Sequence, residues 1–184
     1  MLFKAIIAGV MTLAVIGTAG QIIFPPNPVL FYNPSESAEV GWYRLRPDEP
    51  VVLGAQVAAY APEWARKLAD ERGYLPYDYP LIKAVWAVRG DEVCYNNQSI
   101  SVPKRPDIPV LGQDVLGRDM PQKSGCIVLG PGEYMLLSPD VQTGFDSRYF
   151  GPIRAENILG VVKYLEDSKN LKWSKKSGFV GFGG

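Results

Sequence analysis

The stretch YPLIKAVWAVRGDEV, residues 79–93, is apolar on both sides of an extended chain. Successive side chains of a strand point to opposite faces. Leu81, Lys83, Val85 and Ala87 therefore share one face, and Ile82, Ala84, Trp86 and Val88 the other. A strand apolar on both sides belongs inside a sheet, which leaves Lys83 in greasy surroundings. Two readings of that lysine stay open here. If buried, it loses water, which disfavours the ammonium, can lower its pKa by up to roughly 3–5 units and leaves an amine able to serve as general base. At a sheet edge, it snorkels its head into solvent.

Outward from this strand the chain is cut into short elements by 16 prolines and 19 glycines. Residues 40–45 and 51–60 read as strands separated by the turn Arg46-Pro47-Asp48-Glu49-Pro50. Residues 92–102 read as a hairpin turning at Asn96-Asn97. Residues 125–129, 133–138 and 158–165 are further strands, and the polar segment 103–123 is a long loop. Residues 62–72 form the one clear helix, with Pro62 near its start and Gly73 at its end. Its Trp64, Ala65, Leu68 and Ala69 fall at helical spacing and face the core. A chain of 184 residues suits one compact domain with appendages.

The appendages sit at the ends. After Lys4, residues 5–24 carry no charge, and twenty helical residues span about 30 Å. Residues 1–24 are a transmembrane anchor or, with Gly17-Thr18-Ala19 as a small-x-small cleavage site, a signal helix; the anchor is preferred. The amine and Lys4 precede this segment and no charge follows until Glu36, so the remainder is exported. The expected location is the inner membrane, with the main domain in the periplasm. Residues 25–36 form a proline-rich linker, 37–167 the periplasmic domain, and 168–184 a basic, Gly-rich flexible tail. In an exported domain Cys94 and Cys126 are most simply one disulfide, closing a loop of about thirty residues for roughly 3 kcal/mol; two unrelated buried thiols are the alternative. Basic and acidic residues number 19 each, so no net field points to nucleic acid.

The chain has no histidine. That removes Ser-His-Asp and Cys-His catalysis and argues against an imidazole-ligated metal site; no metal and no cofactor is expected. It sharpens the reading of NPSESAEVGWYR, residues 33–44, where Ser35 and Ser37 stand two apart. A serine hydroxyl is a poor nucleophile until a base takes its proton. Without histidine the bases available are lysines, carboxylates and the terminal amine, and Lys83 is the lysine embedded in an apolar strand. Ser35, on the same side of an extended chain, can then donate to an oxyanion beside the Ser37 amide. The bland alternative is a hydrogen-bonded turn.

These blocks resemble the type I signal peptidases, and among them the TraF-like branch of conjugal-transfer peptidases that mature pilin subunits. Ser35-Glu36-Ser37 with Gly41 and Tyr43 matches the family's first block. Lys83-Ala84-Val85 through Gly90-Asp91 matches the second, and GPGEYMLLSPDVQTGFDSRYFGPI, residues 130–153, the third. The paired cysteines and DVLGRDMP between them, residues 114–121, are similar to the TraF-like branch. Three ordered blocks over roughly residues 31–165 are far more specific than one motif.

The resemblance implies a signal-peptidase-like β core with one short helix and a serine–lysine dyad. Ser37 is then the nucleophile, Lys83 the general base, and Ser35 with the Ser37 amide the oxyanion hole. Asp146 and Arg148 form a structural ion pair without a chemical step. The substrate implied is an exported, pilin-like precursor, lying extended in a small-residue-lined cleft along strand edges. The acyl-enzyme is resolved by water or by the pilin's own amine, giving hydrolysis or cyclisation. The chain departs from the family twice. Glu39 stands where a proline is usual, and Gly144 stands where a serine often orients the lysine, which passes that task to Thr143 or water or leaves Lys83 less well poised. A general signal peptidase and a non-catalytic assembly component retaining the fold are the rival readings.

Overall fold

A computed structural model of the chain describes residues 2–23, 29–96 and 98–165. The expected tail and most of the linker's prolines lie outside the described residues, as does Asn97. Leu2–Ile23 forms helix α1. Among the described residues no helix is long and apolar enough to cross a membrane.

The strands follow in chain order as β1 (Leu30–Asn33), β2 (Gly41–Arg46), β3 (Gln56–Ala59), β4 (Leu81–Ala87), β5 (Glu92–Tyr95), β6 (Ser99–Ser101), β7 (Ile108–Pro109), β8 (Gly125–Val128), β9 (Glu133–Leu137), β10 (Ile153–Arg154) and β11 (Ile158–Tyr164). Helix α2 (Glu63–Glu71) and the single turn α3 (Ser147–Phe150) interrupt them. Seven strands form one sheet in the order β1-β2-β11-β3-β4-β9-β10, and four form a second in the order β7-β6-β5-β8. Every described pairing is antiparallel. The fold is thus mainly β with few helices.

The interior position of residues 81–87 follows from their double-sided apolarity. β4 lies between β3 and β9, with Val57 opposite Lys83 and Leu136 opposite Val85. One core gathers Val57, Leu81, Val85, Leu136, Phe150 and Ile153, and another packs Phe31, Tyr43, Ile82 and Val162 around the opposite face. Lys83 is caught inside with 4% of its surface exposed, so burial and not snorkelling is its state.

Three elements differ from expectation. Residues 30–33, assigned to the linker, form β1 and pair with β2 through Phe31–Tyr43 and Tyr32–Trp42. Pro34 follows the strand without entering it, and its pattern buries Phe31 and Asn33 while exposing Leu30 and Tyr32. The long loop contains the two-residue strand β7 and an isolated bridge from Gln113 to Asp119. Residues 51–55 are turn rather than strand.

Cys94 and Cys126 are paired, joining β5 to β8 in the smaller sheet across 32 residues of sequence. Closing such a loop stabilises by roughly 3–4 kcal/mol in the chain-entropy account, in line with the expectation.

Candidate active site

β1 ends at Asn33, and the next turn carries both serines. The Asn33 side chain is buried and organises this turn. Its Nδ2 donates to the carbonyls of Ser35 at 2.8 Å and of Ala38 and Glu39 at 3.1 Å. Its Oδ1 accepts from the Ser35 amide at 3.3 Å and the Ser35 hydroxyl at 3.2 Å. The other end of the turn is held by Tyr43, whose buried hydroxyl donates to the Glu39 carbonyl at 2.8 Å and is pushed up to about 12 chiefly by desolvation. Gly41 closes it at φ +145°, where an added Cβ would meet the Tyr164 ring at 2.7 Å, so both conformation and space demand glycine. Within this frame the Ser35 and Ser37 hydroxyls lie 2.7 Å apart.

Lys83 approaches from the middle of β4. Desolvation lowers its pKa to about 8, partly offset by the Asp146 carboxylate and reinforced by the Arg148 cation. Its Nζ donates to Ser138 Oγ at 2.8 Å. The Ser138 hydroxyl in turn donates to the Ser37 carbonyl at 2.6 Å. One buried hydroxyl at the end of β9 thus ties the amine to the serine turn, across 101 residues of sequence on one side and 55 on the other.

Ser138 was not singled out by the sequence. The expectation gave the orienting role to Thr143 or water, and the structure corrects it. A Cβ on Gly144 would lie 2.8 Å from Arg148 Nη2 and 3.3 Å from Asp146 Oδ2, so a serine there would have to displace the buried Arg148 guanidinium. Ser138 supplies the hydroxyl from the opposite side of the same loop. The sequence signal was slight: a serine one residue past an apolar strand and just before Pro139 reads as a turn. Asn33, also missed, sits similarly before Pro34.

Beneath the site, Asp146 and Arg148 pair at 2.8 Å with both side chains fully buried. Asp146 also accepts from the Ser138 amide at 2.9 Å. Arg148 donates to the carbonyls of Val141 at 2.8 Å and of Pro109, Gln142 and Gly144 at 3.2 Å. A buried pair with its remaining donors satisfied by backbone is the arrangement that tolerates desolvation.

Ser37 and Lys83 line two adjoining cavities of about 320 and 270 Å³. The smaller carries Glu36, Glu39 and Asp140. The larger is lined by Tyr74, Phe145 and Tyr149 among others, so the expectation of a cleft walled by small residues does not hold on that side. Among the described residues, Glu92, Cys94 and Cys126 alone cluster closely enough to suggest a cation site, but the two sulfurs are bonded to each other and offer no thiolate.

Residues 2–165 match the family model described as signal peptidase, peptidase S26. A plasmid transfer protein TraF of Escherichia coli is 34% identical over 141 residues, covering 71% of this chain and 79% of that protein. A probable conjugal transfer protein TraF of Sinorhizobium fredii is 35% identical over 164 residues, 83% of this chain and 84% of the other. Among solved structures, a signal peptidase I from Enterococcus faecalis aligns with a TM-score of 0.37 at 15% identity, over 64% of this chain and 100% of that one.

Proposed function

The chain belongs to the signal peptidase, peptidase S26, family and to its TraF-like branch, and from that premise we propose that it is a serine endopeptidase that cleaves an exported precursor, a conjugative pilin, through a Ser37 acyl-enzyme. The observation that carries the reading is the buried Lys83 amine, bridged by Ser138 to the turn that holds Ser37.

In this mechanism neutral Lys83 takes the Ser37 proton as Oγ attacks the substrate carbonyl carbon. The negative charge that develops on the carbonyl oxygen is met by the Ser35 hydroxyl and the Ser37 amide. The resulting ammonium then protonates the departing amine. Neutral again, it activates the acceptor, water or an amine, that releases the acyl group. Asn33 fixes the donor geometry, and Asp146 and Arg148 hold the floor. Replacing Ser37 in the full-length protein and assaying precursor processing tests this directly. Processing that continues unchanged favours the non-catalytic assembly role.

A base with a pKa near 8 fixes the pH response. The peptidase kcat/KM is expected to climb with pH through a midpoint near 8 and level off above it. Stability follows the same group. Its folded value lies below the ordinary 10.5, so between pH 8 and 10.5 the unfolded chain binds more protons than the native one. Lys83 therefore adds stability as pH rises across that window, about 3 kcal/mol in all, and loses it as pH falls to 8. Denaturant titrations at pH 7 and 10.5 check this, and Lys83→Met is expected to flatten the difference.

Ser138 acts through Lys83 as a positioning residue. Ser138→Ala is expected to lower kcat by about 10²-fold with little change in KM and to move the pH midpoint, whereas Ser138→Thr keeps most activity. Equal loss in both variants would mean that the serine only fills space.

We also propose inner-membrane anchoring by residues 5–24, with the domain in the periplasm. The uncharged segment and the disulfide, which persists in oxidising compartments, support this. In cells, Cys94 and Cys126 are expected to resist alkylation until reduced, and protease added to spheroplasts should digest the β domain. Free thiols in a protected domain would place it in the cytoplasm.

A further inference from the structure

The peptidase reading specifies chemistry at Ser37 but not the side chains a substrate must present. The larger cavity holds about 320 Å³, room for roughly ten waters at about 30 Å³ each. An alanine methyl would leave most of that space wet. One wall is built from Tyr74, Leu75, Leu111, Met120, Phe145 and Tyr149. The Phe145 ring lies 5.5 Å from Tyr74 and is stacked 5.9 Å from Tyr149.

This wall is braced by polar contacts that leave its charges satisfied. The Tyr74 hydroxyl donates to Asp114, which also accepts from Arg118 Nε at 2.6 Å. Arg72 Nη2 donates to the Asp119 carbonyl at 3.0 Å, and the Leu111 amide donates to the Tyr149 hydroxyl at 3.2 Å. Arg66, also on the lining, donates to the Tyr77 carbonyl at 2.9 Å and lies 4.0 Å from the Tyr77 ring. The cations and the carboxylate at this wall are spent on the protein itself, so this wall offers a ligand apolar surface, while Glu36 and the serine turn line the opposite part of the cavity. It is continuous with the reacting pair, because Ser37 and Lys83 line the same cavity.

We propose that this cavity is the recognition pocket for one bulky apolar side chain, leucine to phenylalanine in size, carried by the extended segment that Ser37 attacks. The inference rests on the peptidase reading and names the class of substrate within it. An aromatic wall favours an edge or face contact from a substrate ring.

The test uses the full-length protein in detergent micelles and a set of fluorogenic extended peptides with an Ala-Ala scissile pair. Each flanking position is set in turn to Ala, Val, Leu, Phe, Lys or Glu. One position is expected at which Leu or Phe exceeds Ala in kcat/KM by at least about tenfold. Thr143 is exposed on the cavity lining, so Thr143→Trp narrows the space without touching the core. It is expected to lower turnover of the bulky peptides more than that of the alanine peptide, while Leu75→Ala shifts the optimum towards larger residues. A preference for Ala or for a charged residue at every position overturns the pocket alone, as does a bulky preference that both variants leave unchanged. Absence of any Ser37-dependent turnover across the whole set overturns the peptidase reading and the pocket with it.

Discussion

Replacing Ser37 with alanine is expected to reduce the single-turnover rate of precursor cleavage by about 10⁴–10⁶-fold, with the protein still folded. The hydroxyl is the only atom lost. Its neighbours Asn33, Tyr43 and Gly41 hold the turn through backbone contacts that alanine leaves intact. Lys83→Met removes the proposed base and is expected to cost a similar factor, because an unactivated hydroxyl attacks a peptide carbonyl no better than bulk water does. The two losses should not add. Once either partner is gone the other has nothing to act with, so the double variant is expected to match the single ones within about tenfold. Loss of activity in Lys83→Met restored by raising pH would assign the base elsewhere. Circular dichroism and thermal melts on the same preparations separate a chemical defect from an unfolded protein.

The second large effect is expected at Asp146, in stability first and activity afterwards. Asp146→Ala leaves the Arg148 guanidinium fully buried, with carbonyl acceptors but no counter-charge. Breaking one side of a buried ion pair costs about 3–5 kcal/mol, here a fall in Tm of roughly 10–20 °C for a domain of this size. Removing both charges is gentler. Asp146→Ala combined with Arg148→Met is expected to regain part of that loss, since no charge is then stranded, but not all of it. The carbonyls of Gln142, Val141 and Gly144 would lose their donor, and the Ser138 amide its acceptor. Scanning calorimetry on the two single variants and the double one measures the coupling. Equal melting temperatures for all three would mean that Asp146 contributes no counter-charge to the core.

The β4 strand was legible because its apolarity runs on both faces, a local pattern that needs no partner to be seen. The Asp146–Arg148 pair came instead from the family resemblance, and the structure shows the two, two residues apart, meeting within one tight turn. β1 was hidden by the prolines around it, because its four residues gain strand identity only from pairing with β2. Ser138 was beyond reach of any local rule. Its significance lies in contacts to residues 55 and 101 positions away, and nothing near it differs from an ordinary strand-ending serine. The aromatic side of the cleft was missed likewise, since Tyr74, Met120 and Phe145 come from three segments brought together only by the folded chain.

The Ser138 hydroxyl has a single hydrogen, and it is committed to the Ser37 carbonyl. Towards Lys83 it can then only accept, so the amine must spend one N–H on it whether charged or neutral. In the neutral state that leaves one N–H and one lone pair to share the two free tetrahedral directions inside the cleft. The Ser37 backbone carbonyl thereby sets which way the electron pair of the Lys83 amine can point, and displacement of that turn would scramble the alignment without moving the lysine at all.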